Sequence, residues 1–147
     1  RMESREEEEV LTEELLNELL FSSSAGHYID THQMVDSSLS SYLNELLRAH
    51  DLKKSEVIKA SRLNETFAYQ IFSGDRQASR NKVLQLAFAM ELSLRETQRL
   101  LKHAGANELY CKDRRDAIII YCLSRKCSLI KVDQELYKFN EDTITEA

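Results

Sequence analysis

Residues 53–74 read KKSEVIKASRLNETFAYQIFSG, and helical spacing divides them into two short helices joined by a tight turn. Val57, Ile58 and Ala60 supply the apolar positions of the first helix, and Leu63 falls in the turn. Asn64 is a good N-cap for the second, because its side-chain oxygen can accept a backbone N–H that has no partner within the helix. Ala68, Ile71 and Phe72 form that helix's inward side, and Gly74 stops it, as a residue tolerant of positive φ does. The outward side of the second helix carries short polar side chains. A pair of helices with this outward face fits the major groove of B-DNA.

The rest of the chain bounds what this unit can belong to. It has 147 residues, 42% of them hydrophobic, with no Pro, three Gly and no Trp. That is little turn punctuation and much helix-compatible sequence, so an all-α protein is expected. No apolar run approaches the roughly 18 residues that span a bilayer. The acidic N-terminus lacks the basic-then-apolar order of a secretory signal. Three cysteines, an odd number, argue against a disulfide framework and suit a reducing cytoplasm.

Net charge is −5, which disfavours nucleic acid until its distribution is considered. Residues 1–36 carry ten acids and two bases, residues 37–105 eleven bases and seven acids, and residues 106–147 a net −1. The helix pair lies in the one basic third.

Three regions follow. Residues 1–36 hold an acidic amphipathic helix and a linker. Within 6–21, EEEEVLTEELLNELLF, one face carries Leu11, Leu15, Leu16, Leu19 and Leu20 and the other carries acids. That helix packs on its own domain, serves as a dimer or partner helix, or is a free acidic tail. Ser22–Gly26 and then 27–36 read as linker and irregular connection. Residues 37–105 give five helices. The first runs over about 39–50 and buries Leu39, Leu43, Leu46 and Leu47. After the central pair, Ser79 caps a helix over about 80–91 with Val83, Leu84, Ala87, Phe88 and Met90 inward. Ser93-Leu94-Arg95-Glu96 is a capping box opening a fifth helix that Gly105 closes. Residues 106–147 are a C-terminal helical hairpin with Asp113 as a cap. Shifting the chain by 35 residues lays Arg80–Gly105 on Arg115–Asn140 without a gap, with Ser93 on Ser128 and Gly105 on Asn140. The apolar run Ala117–Leu123 is therefore expected to be helix rather than strand. Tyr110, Tyr121 and Tyr137 are expected to pack within the hairpin.

Residues 39–92 resemble the Cro and phage-repressor type of helix-turn-helix domain, the xenobiotic-response-element-like transcriptional regulators. The resemblance lies in the spacing of Lys53–Gly74, the leading helix ending at Leu52, and the following QASRNKVLQLAFAMELSL, where Ala78-Ser79 and Leu92-Ser93 match in place. The chain departs from the family at Arg62, where Gly is frequent in the turn. It departs also at Lys53, where Ser or Thr is the common cap, and at Ala78, which stands for a frequent Pro. The resemblance implies a five-helix Cro/repressor-like domain that binds double-stranded DNA and regulates transcription without a cofactor, often as a homodimer. Dimer or partner contact would fall to residues 6–21 or 113–139.

On this reading Glu65, Thr66, Tyr69 and Gln70 face the bases. Gln pairs with adenine, Thr meets a thymine methyl and Glu accepts from cytosine. Lys53, Lys54, Arg76, Arg80 and Lys82 are the candidate phosphate contacts. A second reading stays open, because Glu65 faces a polyanion and the second helix carries no Arg or Lys. A helix-turn-helix used as a protein-interaction module without DNA binding has the same pattern. Other chemistry is thinly supported. His27 and His32 would need more metal ligands nearby, and Cys122 and Cys127 with Cys111 and His103 match no common zinc spacing. No Gly-rich phosphate loop or nucleophile–base pair stands out, so an enzyme is not expected.

Overall fold

The computed structural model describes residues 2–32 and 38–146, with side chains from Thr12 onward. Among the described residues there are nine helices and no strand, so the chain is all-α. It divides into two compact units, Arg1–Asp36 and Ser37–Ala147.

The smaller unit holds α1 (Met2–Phe21) and α2 (Ala25–Thr31). The second of these corrects the expected irregular connection after residue 26. Ser24, at the end of the serine run, accepts from His27 N at 3.1 Å and starts a helix there. His32 then stacks on Tyr28, ring centroids 4.1 Å apart, and its Nε2 reaches Glu18 of α1 at 2.5 Å. The Glu18 hydrogen bond and the Tyr28 carbonyl raise the pKa of this histidine, outweighing a smaller lowering by burial. Leu15 is half-buried, whereas Leu16, Leu19, Leu20 and Phe21 are exposed. The side chain of Leu11 and the expected connection over 33–36 lie outside the described residues.

The larger unit contains α3 (Leu39–Ala49), α4 (Lys54–Ser61), α5 (Glu65–Ser73), α6 (Arg80–Ala89), α7 (Leu94–His103), α8 (Arg114–Ser124) and α9 (Leu129–Lys138). Its core gathers Leu43, Ile71, Leu84, Leu100, Ile119 and Leu136, all with no exposed surface. Packing runs α3 on α5 and α7, α4 on α5 and α6, and α6 on α7. Helices α8 and α9 pair with each other and rest on α7 and α6 respectively. Most caps fall where short polar side chains predict them, but Ser79, at the N-cap position of α6, makes no side-chain cap bond. Asn64 accepts from Phe67 N, Asp113 from Asp116 N and Ser128 from Lys131 N, and both bonds of the Ser93–Glu96 box are present.

A chain with three glycines still ends its helices sharply. Residues Asp51, Arg62, Glu91, Lys126 and Asn140 take positive φ, as do Gly74 and Gly105. At six of these helix ends the next residue's N–H returns to a carbonyl one turn back: Leu52 to Leu47, Asp75 to Gln70, Leu92 to Ala87, Ala106 to Leu101, Cys127 to Cys122 and Glu141 to Leu136, all at 2.9–3.1 Å. This is the Schellman ending, usually built on glycine. An L-residue in the left-handed region costs about 1–2 kcal/mol, part of which glycine returns as backbone entropy. Glu91→Gly is therefore expected to stabilise the fold by up to about 1 kcal/mol, read as a higher melting temperature. Lys126 is a poorer probe, because its Nζ also donates to Glu91 O at 2.7 Å.

The 35-residue echo is present in three dimensions and reaches further than Asn140. Helices α6 and α7 map onto α8 and α9, and the left-handed residues Glu91 and Gly105 map onto Lys126 and Asn140. Arg80 Nε donates to Asn107 O and Arg115 Nε to Asp142 O, each at 2.9 Å and each 27 residues on. Gln98 holds the backbone of Leu109, and Asp133, 35 residues later, accepts from Ile144 N at 2.7 Å. Leu109 and Ile144 are both buried. Each repeat thus contains a helix pair and a following strap whose apolar residue plugs the pair.

Within these helices two sets of apolar expectations are corrected. Ala60 is exposed and Ser61 takes the inward position of α4, its hydroxyl donating to Ile58 O at 2.6 Å. Tyr110, Tyr121 and Tyr137 are exposed, not packed. In α8 and α9, Ile119, Cys122 and Leu123, then Val132 and Leu136, fill the inward side, leaving the tyrosines outside; Tyr121 meets the Arg125 guanidinium 4.8 Å from its ring.

Candidate nucleic-acid interface

The face of interest is built on α5, and three polar ties fix that helix. Asn44 of α3 donates to Phe72 O at 2.9 Å, holding the C-terminal end. Gln85 of α6, buried among apolar neighbours, donates to Ser61 O at 2.9 Å, while Ser61 Oγ also accepts from Leu63 N at 3.3 Å. Together they clamp the turn between α4 and α5, where Arg62 takes φ 61° without glycine. Gly74 ends α5 at φ 89°, where left-handed freedom favours glycine, and a Cβ there would lie 3.1 Å from Ser40 Oγ, a close approach.

With Ala68, Ile71 and Phe72 buried, helical spacing turns Glu65, Thr66 and Tyr69 out, and they are exposed; Gln70 is half-buried. The half-buried Phe67 lies under a cation, Lys82 Nζ of α6, 5.0 Å from its ring centre. At the other end of α5, Lys54 Nζ of α4 stands 5.6 Å from the Phe72 ring. An ammonium over an aromatic face is held electrostatically while remaining available to an anion. Lys53 is exposed at the start of α4, and Arg76 is exposed just beyond Gly74. Among the described residues, no carboxylate pairs with Lys53, Lys54, Arg76 or Lys82.

Arg80 is the exception among the five expected cations, and its assignment is corrected. Its guanidinium is spent inside the fold, where it grips Asp116 with two bonds of 2.9 and 2.8 Å and donates to the carbonyls of Asn107 and Glu108. Asp116 is buried and also accepts from Tyr110 N at 3.0 Å. Burial alone would raise its pKa; the Arg80 bonds, the Tyr110 N–H and the charges of Arg80 and Arg115 outweigh that and hold it below the usual range. Arg80 is therefore a clamp between α6 and α8.

A cleft of about 460 Å³ opens beside the turn, lined by Arg62, Leu63, Asn64, Lys82, Thr145 and Glu146 among others. The C-terminal strap thus runs next to the start of α5, held by Asp133 and by the buried Ile144. Sequence reasoning overlooked this strap and the polar ties. The available signals were a lone Gln inside VLQLAF and a lone Ile in a polar tail. Among the described residues no three metal-ligating side chains cluster, and no helix is long and apolar enough to cross a membrane. No family model matches the chain, and neither does a curated protein or a solved structure.

Proposed function

We propose that this chain binds double-stranded DNA sequence-specifically and regulates transcription, with α3–α7 as a five-helix Cro/repressor-like domain and α5 as the recognition helix. One observation carries the proposal: the polar outer face of α5 is flanked at both ends by lysines, Lys54 and Lys82, seated on aromatic rings of that same helix. Cations so placed would straddle a groove and contact phosphates on either side, while Thr66, Tyr69 and Gln70 meet base edges between them. The exposed Lys53 and Arg76 extend the positive rim. A second reading, a protein-interaction module of the same fold, draws on the exposed Glu65 and Tyr69 and on the absence of any cation from α5 itself.

Selection from a random duplex pool at low and moderate salt separates the two, since only the first predicts an enriched motif. On that motif, Thr66→Ala or Gln70→Ala should cost about 1–3 kcal/mol and leave random-duplex binding nearly unchanged. Lys54→Ala and Lys82→Ala should instead weaken every duplex alike, each lowering the salt slope by about 0.9. A protein with no duplex affinity even at low salt would end the DNA proposal and turn attention to Glu65 and Tyr69 as a protein-contact surface.

A further inference from the structure

The Schellman ending brings two side chains together: that of the residue whose carbonyl accepts the long hydrogen bond and that of the residue whose N–H donates it. At the ends of α3, α6 and α7 those pairs are Leu47 with Leu52, Ala87 with Leu92 and Leu101 with Ala106. At the end of α8 they are Cys122 and Cys127, joined by the 3.0 Å backbone bond from Cys127 N to Cys122 O. Both line an apolar cleft of about 420 Å³ with Ile118, Tyr121, Lys131 and Phe139. Cys122 lies at its floor, 2% exposed, whereas Cys127 is partly open to solvent.

We propose that Cys122 and Cys127 are a redox modification site, closing to an intramolecular disulfide when a peroxide enters this cleft. The accessible sulfur of Cys127 attacks one peroxide oxygen; the O–O bond breaks, water leaves, and Cys127 becomes a sulfenic acid. The Cys122 sulfur then attacks the Cys127 sulfur, forming the S–S bond and expelling hydroxide, which takes the Cys122 proton and departs as a second water. Two thiols have lost two electrons and two protons, and hydrogen peroxide has become two waters. The division of labour follows from burial, which, with the Cys127 thiol beside it, pushes the Cys122 thiol up to about 12 and keeps it protonated until its neighbour has reacted. Lys131 and Glu135, paired at 3.1 Å, act on the Cys122 thiol in opposite directions, the carboxylate raising its pKa and the ammonium lowering it.

The test uses the full chain carrying Cys111→Ser, which removes the exposed third thiol without touching the pair. After treatment with hydrogen peroxide, intact mass should fall by two hydrogens. Both remaining thiols should then resist alkylation after denaturation, and peptide mapping should join Cys122 to Cys127. Dithiothreitol should restore both thiols. Two alkylatable thiols after treatment would overturn the proposal, and so would a sulfinic acid at Cys127 beside an alkylatable Cys122. Neither outcome depends on what the α5 face binds.

Discussion

Arg80→Ala is expected to lower the stability of the larger unit by about 3 kcal/mol, read as a fall in the urea midpoint. The physical reason is the group left behind. Asp116 is buried, and without Arg80 its carboxylate keeps only the Tyr110 backbone N–H as a hydrogen-bond partner and the charge of the nearby Arg115, which does not bond to it. Removing one partner of a buried ion pair typically costs about 3–5 kcal/mol, and the lower end applies because the Arg80 side chain is 27% exposed. Arg115 supplies an internal control, since it holds the second strap with the same geometry but grips the Asp142 and Thr143 carbonyls and Asn81 Oδ1, not a buried carboxylate. Arg115→Ala should therefore cost less. A depressed folded-state pKa gives stability that is present above the unfolded value, 3.8 for Asp116, and is lost as pH falls below it through the folded value. The parent should accordingly lose stability in that acid window, and Asp116→Asn should flatten that part of the curve. If Arg80→Ala instead melts like the parent and binds duplex less well, Arg80 belongs with the phosphate contacts.

Much of the helical framework was legible because it rests on local chemistry. Ser, Asn and Asp announced the starts of α5, α7, α8 and α9, and apolar residues at helical spacing announced the inward sides. The exposure of Thr66 and Tyr69 follows from the burial of Ala68, Ile71 and Phe72 on the same helix. The repeat was legible through Asn140, because a serine cap and a left-handed terminator recur at fixed spacing. Its last part was not, since Gln98 and Asp133 share no side-chain class yet both bind the strap backbone. Arg80 was misassigned for a related reason. A cation near a candidate DNA face looks alike in sequence whether it points out or meets a buried carboxylate 36 residues away. Helix ends misled in the same way: without glycine, nothing local marks Glu91 or Lys126 as left-handed. The short α2 was hidden by its linker-like serines, one of which turned out to be its cap.

Ile119→Asp carries the largest expected loss, more than about 4 kcal/mol, because it places an unpaired carboxylate where no water reaches. Ile119 has no exposed surface and sits on the inward side of α8, at the position that Leu84 occupies one repeat earlier. The variant also tests how the C-terminal repeat relates to α3–α7. A hairpin attached as a separate appendage would melt alone and leave the α5 face intact. Helix α8 rests on α7, α9 rests on α6, and Asp116 at the head of α8 holds Arg80 at the head of α6. Ile144, at the end of the second strap, is also fully buried. With these ties, loss of α8 strips packing from α6, whose Gln85 clamps the turn before α5. The expected result is one cooperative transition at much lower urea, with amide protection lost together in α4–α6 and α8–α9. A variant in which only α8 and α9 lose protection while α4–α6 exchange as slowly as in the parent would show the repeat to be separable. The α5 face would then owe its geometry to α3–α7 alone.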